Sequence, residues 1–160
     1  MTGYRGGKGV MLAVERGEVE GVSGRGYSSL MSGSAHWVRD NKVNILMQFG
    51  LKPHPALKNV PFALDLVKSP DDRKVLEFIF TKYDILRLYF APEGVSQDRV
   101  TALRASFDAT MKDPEFLARA KKSRIEVDPV PGTRVQEMVQ ALYKTPKPLV
   151  DRARNLLQGK

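Results

Sequence analysis

The chain has 160 residues, a length that corresponds to one ordinary domain or to two small halves of a larger one. Its 42% apolar and 28% charged residues are typical of a soluble globular protein. The net charge of +8 permits an anionic partner without identifying one. Because the chain has no cysteine, disulfide scaffolds, thiol nucleophiles and cysteine-ligated metal sites are excluded.

The predicted elements alternate between helices and short strands. Helices are indicated by apolar residues at helical spacing after a capping residue or a proline, and strands by short continuous apolar runs. In chain order the predictions are a helix over 10–16, a strand over 19–23, helices from 27 and over 34–38, a strand over 43–49, a surface connection over 50–61, a helix over 70–83, a strand over 87–91, helices over 96–112 and from 114, a strand over 125–127, and helices over 133–144 and 146–158. This alternation indicates an α/β fold.

Few residues are suited to catalysis or to metal binding. The two histidines, His36 and His54, are close in sequence neither to each other nor to a pair of carboxylates. The segment Gly7-Lys8-Gly9 lacks the spacing of a phosphate-binding loop, and Gly21–Arg25 lacks the final glycine of a serine-hydrolase elbow. We therefore predict no catalytic residue, no bound metal and no cofactor.

Two glycine-rich turns precede predicted helices, at Gly3–Gly9 and at Gly24–Gly26. Unpaired amides at the start of a helix hold carboxylate or phosphate groups well. Arg5 and Arg25 lie beside these turns, and a guanidinium pairs with a carboxylate through two hydrogen bonds. The turns are therefore compatible with an anion site, but glycine turns are common, and their frequency favours the alternative that these glycines only permit tight turns.

The surplus of lysine and arginine raises a second interpretation, a cytosolic domain that binds nucleic acid. The basic residues, however, are spread along the chain and interleaved with acids. Their densest run, Lys121, Lys122 and Arg124, is typical of a solvated helix face. Nucleic acid is therefore not the expected partner. The longest apolar stretch near the start, Val10–Val14, is too short for a signal-peptide core, so the chain as it stands is expected in the cytoplasm.

A series of phrases along the chain resembles one known family. The phrases are Gly3-Tyr4-Arg5-Gly6-Gly7, Leu12–Glu20, Tyr27-Ser28-Ser29-Leu30, Lys42–Leu46, His54–Leu57 with Val60-Pro61, Phe90–Val95 running on to Arg99, and Ala102–Phe116. In this order they resemble the substrate-binding receptors of tripartite tricarboxylate transporters, the Bug type of periplasmic binding protein. The resemblance covers nearly the whole chain and only the later part of such a receptor.

The resemblance implies a fold and a division into domains. The implied fold is an incomplete α/β fold of the type II periplasmic binding protein. Residues 1–86 would form lobe two, and residues 87–160 would supply the strand and helices that return to lobe one. Receptors of this family also have a signal peptide and an N-terminal half, so we expect a truncated fragment. Its residues 87–160 would either pack loosely on the first 86 residues or self-associate through exposed apolar patches.

The resemblance also implies a function and a site. Such receptors bind a small organic acid without catalysis, in the periplasm, with the membrane components of the transporter as partners. The residues carried over onto this sequence lie in two stretches, the first comprising Tyr4, Arg5, Gly6 and Gly7 and the second Ser23, Arg25, Tyr27 and Ser28. At Lys8 and Gly9 the chain departs from the Asn-Asp-like pair of its relatives, which changes the charge beside the implied site.

Overall fold

The structure is a computed structural model that describes residues 4, 6–85 and 87–159. Within these residues it contains seven α-helices and one short 3-10 helix. The α-helices are α1 (Gly6–Glu15), α2 (Tyr27–Arg39), α3 (Pro70–Asp84), α4 (Gln97–Thr110), α5 (Pro114–Lys122), α6 (Gly132–Tyr143) and α7 (Lys147–Leu157), and the 3-10 helix is Ala63–Leu66. The fold is therefore helical.

The prediction of an α/β fold is wrong. Helix accounts for 57% of the structure, and the described ranges contain no sheet. Their β-structure is limited to a parallel bridge between Gln48 and Phe62. This chain therefore does not have the α/β fold of a type II periplasmic binding protein.

The four predicted strands fail for a common reason. The segments 19–23, 43–49, 87–91 and 125–127 all lie outside the helices and form no ladder with one another among the described residues. An apolar run gives a strand its side-chain pattern, but a strand also needs a neighbour that pairs its backbone N–H and C=O groups. The chain supplies that neighbour only at Gln48, within the part that the structure describes.

The helix predictions are confirmed, with differences of a few residues at the ends. At α3 the predicted start is observed, because Ser69 Oγ accepts a hydrogen bond from the amide of Asp72 at 3.3 Å and Pro70 takes the first helical position. Ser34 begins the helix predicted over 34–38 and is a residue type that favours the cap position, but it does not cap a helix here. It lies inside α2 with φ −148° and ψ 34°, so the two predicted segments form one kinked helix.

The described residues form two compact units. The first contains the chain up to Lys42 together with Arg119–Glu126, and the second contains Val43–Ala118 and the chain from Val127 onward. The predicted domain boundary falls at Leu86, which lies outside the described residues, and it stays a prediction.

In the first unit a hydrogen bond joins α1 to α2. Met11, Ala13 and Trp37 are buried residues of this unit. The indole N–H of Trp37 donates a hydrogen bond to Glu15 Oε1 at 3.1 Å, so the last turn of α1 is tied to α2. This contact fixes the helix that begins at Gly6, where the candidate site lies.

The second unit has its core beneath α3. Phe62, Ala63, Leu64 and Phe80 are buried together. The guanidinium of Arg73 donates to the Leu64 carbonyl oxygen at 2.9 Å, which joins α3 to the 3-10 helix. Helix α7 packs on α3, and Arg152 on α7 forms an ion pair with Asp72 on α3.

The helices at the C-terminal end are only partly covered. α4 contains no buried residue, and its Leu103 is 60% exposed. Leu156 and Leu157 on α7 are also exposed, although they belong to the apolar residues at helical spacing from which the helix over 146–158 is predicted to pack inward. Ala153 is the buried residue of α7, so fewer residues of this helix are buried than its apolar spacing predicts.

Asp84 lies at the end of α3, and the pH dependence of stability tests how far its carboxyl is buried. Burial, together with the nearby carboxylate of Asp128, raises the pKa of Asp84 above its ordinary value, and Lys52 opposes this shift. A carboxyl whose pKa is higher in the folded chain stabilises that chain at acidic pH and loses this contribution as pH rises. Asp84→Asn should therefore raise the thermal midpoint at about pH 7. Because the side chain is only half-buried, we expect a gain below about 1 kcal/mol.

The measurement is thermal unfolding of both chains between about pH 4 and pH 8, a range that begins near the ordinary pKa of aspartate. Asp151→Asn is the control, because hydrogen bonding to Lys147 lowers the pKa of Asp151 and its loss should act in the opposite direction. A lower midpoint for Asp84→Asn at neutral pH would contradict the expected sign.

Candidate anion-binding site

The Arg25 side chain lies between the start of α1 and the first half of α2. Its Nη2 donates a hydrogen bond to the carbonyl oxygen of Ser29 at 3.0 Å. Its Nη1 lies 3.7 Å from the position that a Cβ atom would take at Gly7, and Nη2 lies 3.5 Å from the equivalent position at Gly33. Because glycine has no side chain, Gly7 and Gly33 allow the guanidinium to lie close to both helices.

The surroundings of Arg25 favour negative charge. The first turns of α1 and α2 contain no acidic residue, and no side chain caps α2. The amides at a helix start carry positive partial charge, and Arg25 adds a full positive charge beside Gly7. Gly6 begins α1 with a φ of +71°, a conformation that glycine adopts without strain.

One nitrogen of the Arg25 side chain is unpaired within the described residues. Its Nε–H is buried and has no hydrogen-bond partner among the described residues. A buried donor without a partner costs roughly 1–3 kcal/mol. A carboxylate could accept from this donor only after a shift of the Arg25 side chain, because the Nε atom has almost no exposed surface in this conformation.

The other residues of the first predicted stretch are placed beside α1. Tyr4 lies along its first turns, with its Cβ 3.8 Å from the Cβ position of Gly9. Its hydroxyl donates to Glu18 Oε2 across 3.4 Å, a long hydrogen bond. Arg5 lies outside the described residues. Of the first stretch, the structure therefore brings Gly7 to Arg25 and places Tyr4 nearby.

In the second predicted stretch, the start of α2 already holds a carboxylate of the protein. The Ser28 hydroxyl donates to Glu126 Oε2 at 2.7 Å, across a sequence separation of 98 residues. Tyr27 is the first residue of α2, and Ser23 is exposed in the connection before Arg25. The start of α2 is thus occupied by Glu126, which leaves the Gly7 side of Arg25 as the candidate site.

Comparisons of the chain with protein-family models, curated proteins and solved structures give no match. The candidate site therefore rests on its geometry and on the sequence phrases. Over the described ranges, no helix has both the length and the apolar character needed to cross a bilayer. The same residues contain no group of three histidine or acidic side chains that could hold a metal ion.

Sequence reasoning missed the contacts that define the surroundings of Arg25. Gly33 could have indicated one of these contacts from the sequence. Glycine inside a helix costs about 1 kcal/mol of helix stability relative to alanine, so its presence there indicates that another group lies close by. Ser29 contributes only its backbone carbonyl, which no residue pattern reveals. Glu126 is remote in sequence, and its approach to Ser28 depends on tertiary structure.

Proposed function

We propose that the Arg25 site binds the carboxylate group of a small organic acid. We further propose that the chain acts in a non-enzymatic receptor of the tripartite tricarboxylate transporter type. The observation that carries the binding proposal is the position of the Arg25 guanidinium against Gly7 at the start of α1. The receptor type is supported by the ordered sequence phrases around the same residues.

The first carboxylate of the acid binds Arg25. The guanidinium has one hydrogen bond committed to Ser29 through Nη2, and its Nη1 lies on the Gly7 side, where it can donate to an acceptor. The amides at the start of α1, which have no acceptor within the helix, add electrostatic attraction. Two oxygens of one planar carboxylate match two donors of one planar guanidinium, a fit that favours carboxylate over a monodentate anion such as chloride.

A second carboxylate of the acid binds near Lys8. This residue lies in the first turn of α1, one position after Gly7, and its side chain is exposed. The ammonium therefore contributes positive charge on the solvent side of the site. Di- and tricarboxylates are accordingly the preferred class of ligand. The receptor type places the protein in the periplasm, with the membrane components of the transporter as partners.

The ion pairs of the described basic residues argue against the nucleic-acid alternative. Many basic side chains of the described residues are paired with acids, including those of Arg39, Arg73, Lys74, Arg134, Lys147 and Arg152. Nucleic-acid binding favours a clustered basic face whose charges are available to phosphate. We therefore propose the organic acid as the ligand.

Titration calorimetry of the chain with succinate and with citrate tests the proposal. We expect both acids to bind and Arg25→Gln to weaken binding by about tenfold or more, since a hydrogen bond to a charged group contributes about 1.5–3 kcal/mol. Arg39→Gln is the matched control. Arg39 belongs to the same unit but lies in the last turn of α2 and is paired with Asp40.

Circular dichroism of both variants establishes that the helices are retained. Equal affinities of Arg25→Gln and the unchanged chain would refute the site. Binding of an uncharged sugar in place of both acids would refute the ligand class. Retention of the chain on single-stranded DNA, lost between about 50 and 200 mM salt, would favour the nucleic-acid alternative.

A further inference from the structure

The segment between α3 and α4 exposes three consecutive large apolar side chains. Leu88, Tyr89 and Phe90 are 39%, 88% and 90% exposed. Residues 88–92 belong to no helix, strand or turn, and their backbone groups make no hydrogen bond to other described backbone groups. The segment thus combines an unpaired backbone with an apolar surface, the two properties that allow one strand to pair with another.

The segment is supported from one side. The Tyr89 ring packs on the Phe107 ring of α4, with 5.7 Å between the ring centroids. A strand pair in water is marginal unless it also packs against a helix or a further strand, and α4 provides that support here. Phe90 follows Tyr89 and remains almost fully exposed.

We propose that this segment pairs with the same segment of a second copy of the chain, antiparallel and centred on Phe90. In this register Phe90 lies opposite Phe90, Tyr89 opposite Ala91 and Leu88 opposite Pro92. Proline lacks an N–H, so it tolerates a non-hydrogen-bonded position of the ladder. With Phe90 opposite Phe90 as a non-hydrogen-bonded pair, the pair of Leu88 and Pro92 is also non-hydrogen-bonded, because the two kinds of pair alternate along the ladder. The backbone hydrogen bonds then form between Tyr89 of one copy and Ala91 of the other.

Charge complementarity supports a second copy as the occupant. In the same register Arg87 of one copy approaches Glu93 of the other, and the two-fold symmetry creates this contact of opposite charges twice. Apolar pairs of Leu88 with Pro92 and of Phe90 with itself lie between the charged ends. In this register the segment is therefore complementary to itself in charge and in backbone pairing.

The contact is small. Five residues a side fall in the class of weak, transient interfaces that bury less than about 1,200 Å². We therefore expect reversible association over a range of about 1 to 100 µM. Sedimentation velocity over this range should show the average mass of the chain rising toward that of a dimer.

Disulfide trapping tests the register. The chain has no cysteine, so Phe90→Cys introduces a single thiol. Directly opposite residues of a non-hydrogen-bonded pair have Cα atoms about 4.5 Å apart, within the range that a disulfide spans. We expect mild oxidation to link Phe90→Cys into a covalent dimer at least about tenfold faster than Tyr143→Cys, because pairing raises the effective concentration of the thiol.

Tyr143 is the matched control, because it is 89% exposed and lies outside the segment. A charge exchange gives a second test, in which Arg87→Glu weakens association and Arg87→Glu combined with Glu93→Arg restores it. A chain that stays monomeric at about 100 µM would overturn the proposal. Equal rates of oxidation at positions 90 and 143 would overturn it as well, even if the chain dimerised. None of these measurements involves the Arg25 site.

Discussion

Replacement of Leu64 by alanine is expected to lower the free energy of unfolding by about 2–5 kcal/mol. Leu64 is 1% exposed and is the largest fully buried side chain of the described residues. It lies in the 3-10 helix and packs with Phe62 and Phe80. The substitution removes three carbon atoms and leaves a cavity that closes only if the short 3-10 helix moves toward α3.

The expected loss is large relative to the whole stability of a domain, about 5–15 kcal/mol. Few residues of the second unit are buried, so the remaining contacts offer little compensation. Urea unfolding followed by circular dichroism measures the change. Leu66→Ala is the control, since Leu66 lies in the same 3-10 helix but is 57% exposed, and we expect its effect to stay within about 0.5 kcal/mol. Similar losses for the two variants would show that Leu64 does not organise the core.

Helix starts could be predicted from the sequence because their signals are local. Ser69 with Pro70, and Asp113 with Pro114, each place a side-chain acceptor and a proline at the same two positions. The structure uses both acceptors, and Asp113 Oδ1 accepts from the amide of Phe116 at 2.7 Å. These contacts span only three residues, so no knowledge of the tertiary structure is needed to anticipate them.

Strands could not be predicted in the same way, because a strand is completed by residues that are distant in sequence. The run Val43–Phe49 has the composition of a buried strand, and its Leu46 is nevertheless 78% exposed. Residues 43–47 have no ladder partner in the described part of the chain. The α/β prediction treated apolar runs as evidence for a sheet, although the pairing that makes a sheet is not encoded in any one run.

The candidate site was partly predictable for the same physical reason. Gly7 and Arg25 were recognised from glycine-rich turns before helices, which are local patterns. That the two turns meet at one guanidinium is a tertiary fact, and so is the occupation of the α2 start by Glu126. The sequence therefore made Gly7 and Arg25 candidate residues and left their arrangement open.

Gln48 holds together a loop that the sequence presented only as a surface connection. Its side chain is buried, and its Nε2 donates to the carbonyl oxygens of Leu57 at 3.0 Å and Val60 at 2.9 Å. Its Oε1 accepts from the amide of His54 at 2.8 Å. One side chain thus satisfies three backbone groups of a loop that lines an open cavity of about 590 Å³.

Gln48→Glu is expected to cost about 3 kcal/mol or more at neutral pH, because two carbonyl oxygens lose their donor and face a buried carboxylate instead. Burial and the loss of donors should raise the pKa of the new carboxyl, so its protonated form becomes the better fit. The folded chain then binds a proton more tightly than the unfolded chain, and the destabilisation should shrink as pH falls from about 7 to about 5. Urea unfolding at both pH values measures this difference.

The control for this prediction is Gln136→Glu, which makes the same chemical change at an exposed position. Gln136 Oε1 accepts from Arg104 Nη2 at 2.8 Å, and a carboxylate there keeps that hydrogen bond and gains an opposite charge. We expect a change within about 0.5 kcal/mol at either pH. If Gln48→Glu were tolerated as well as Gln136→Glu at neutral pH, the loop would not depend on its donor. A loss that stayed constant between the two pH values would show that the introduced carboxyl remains in contact with water.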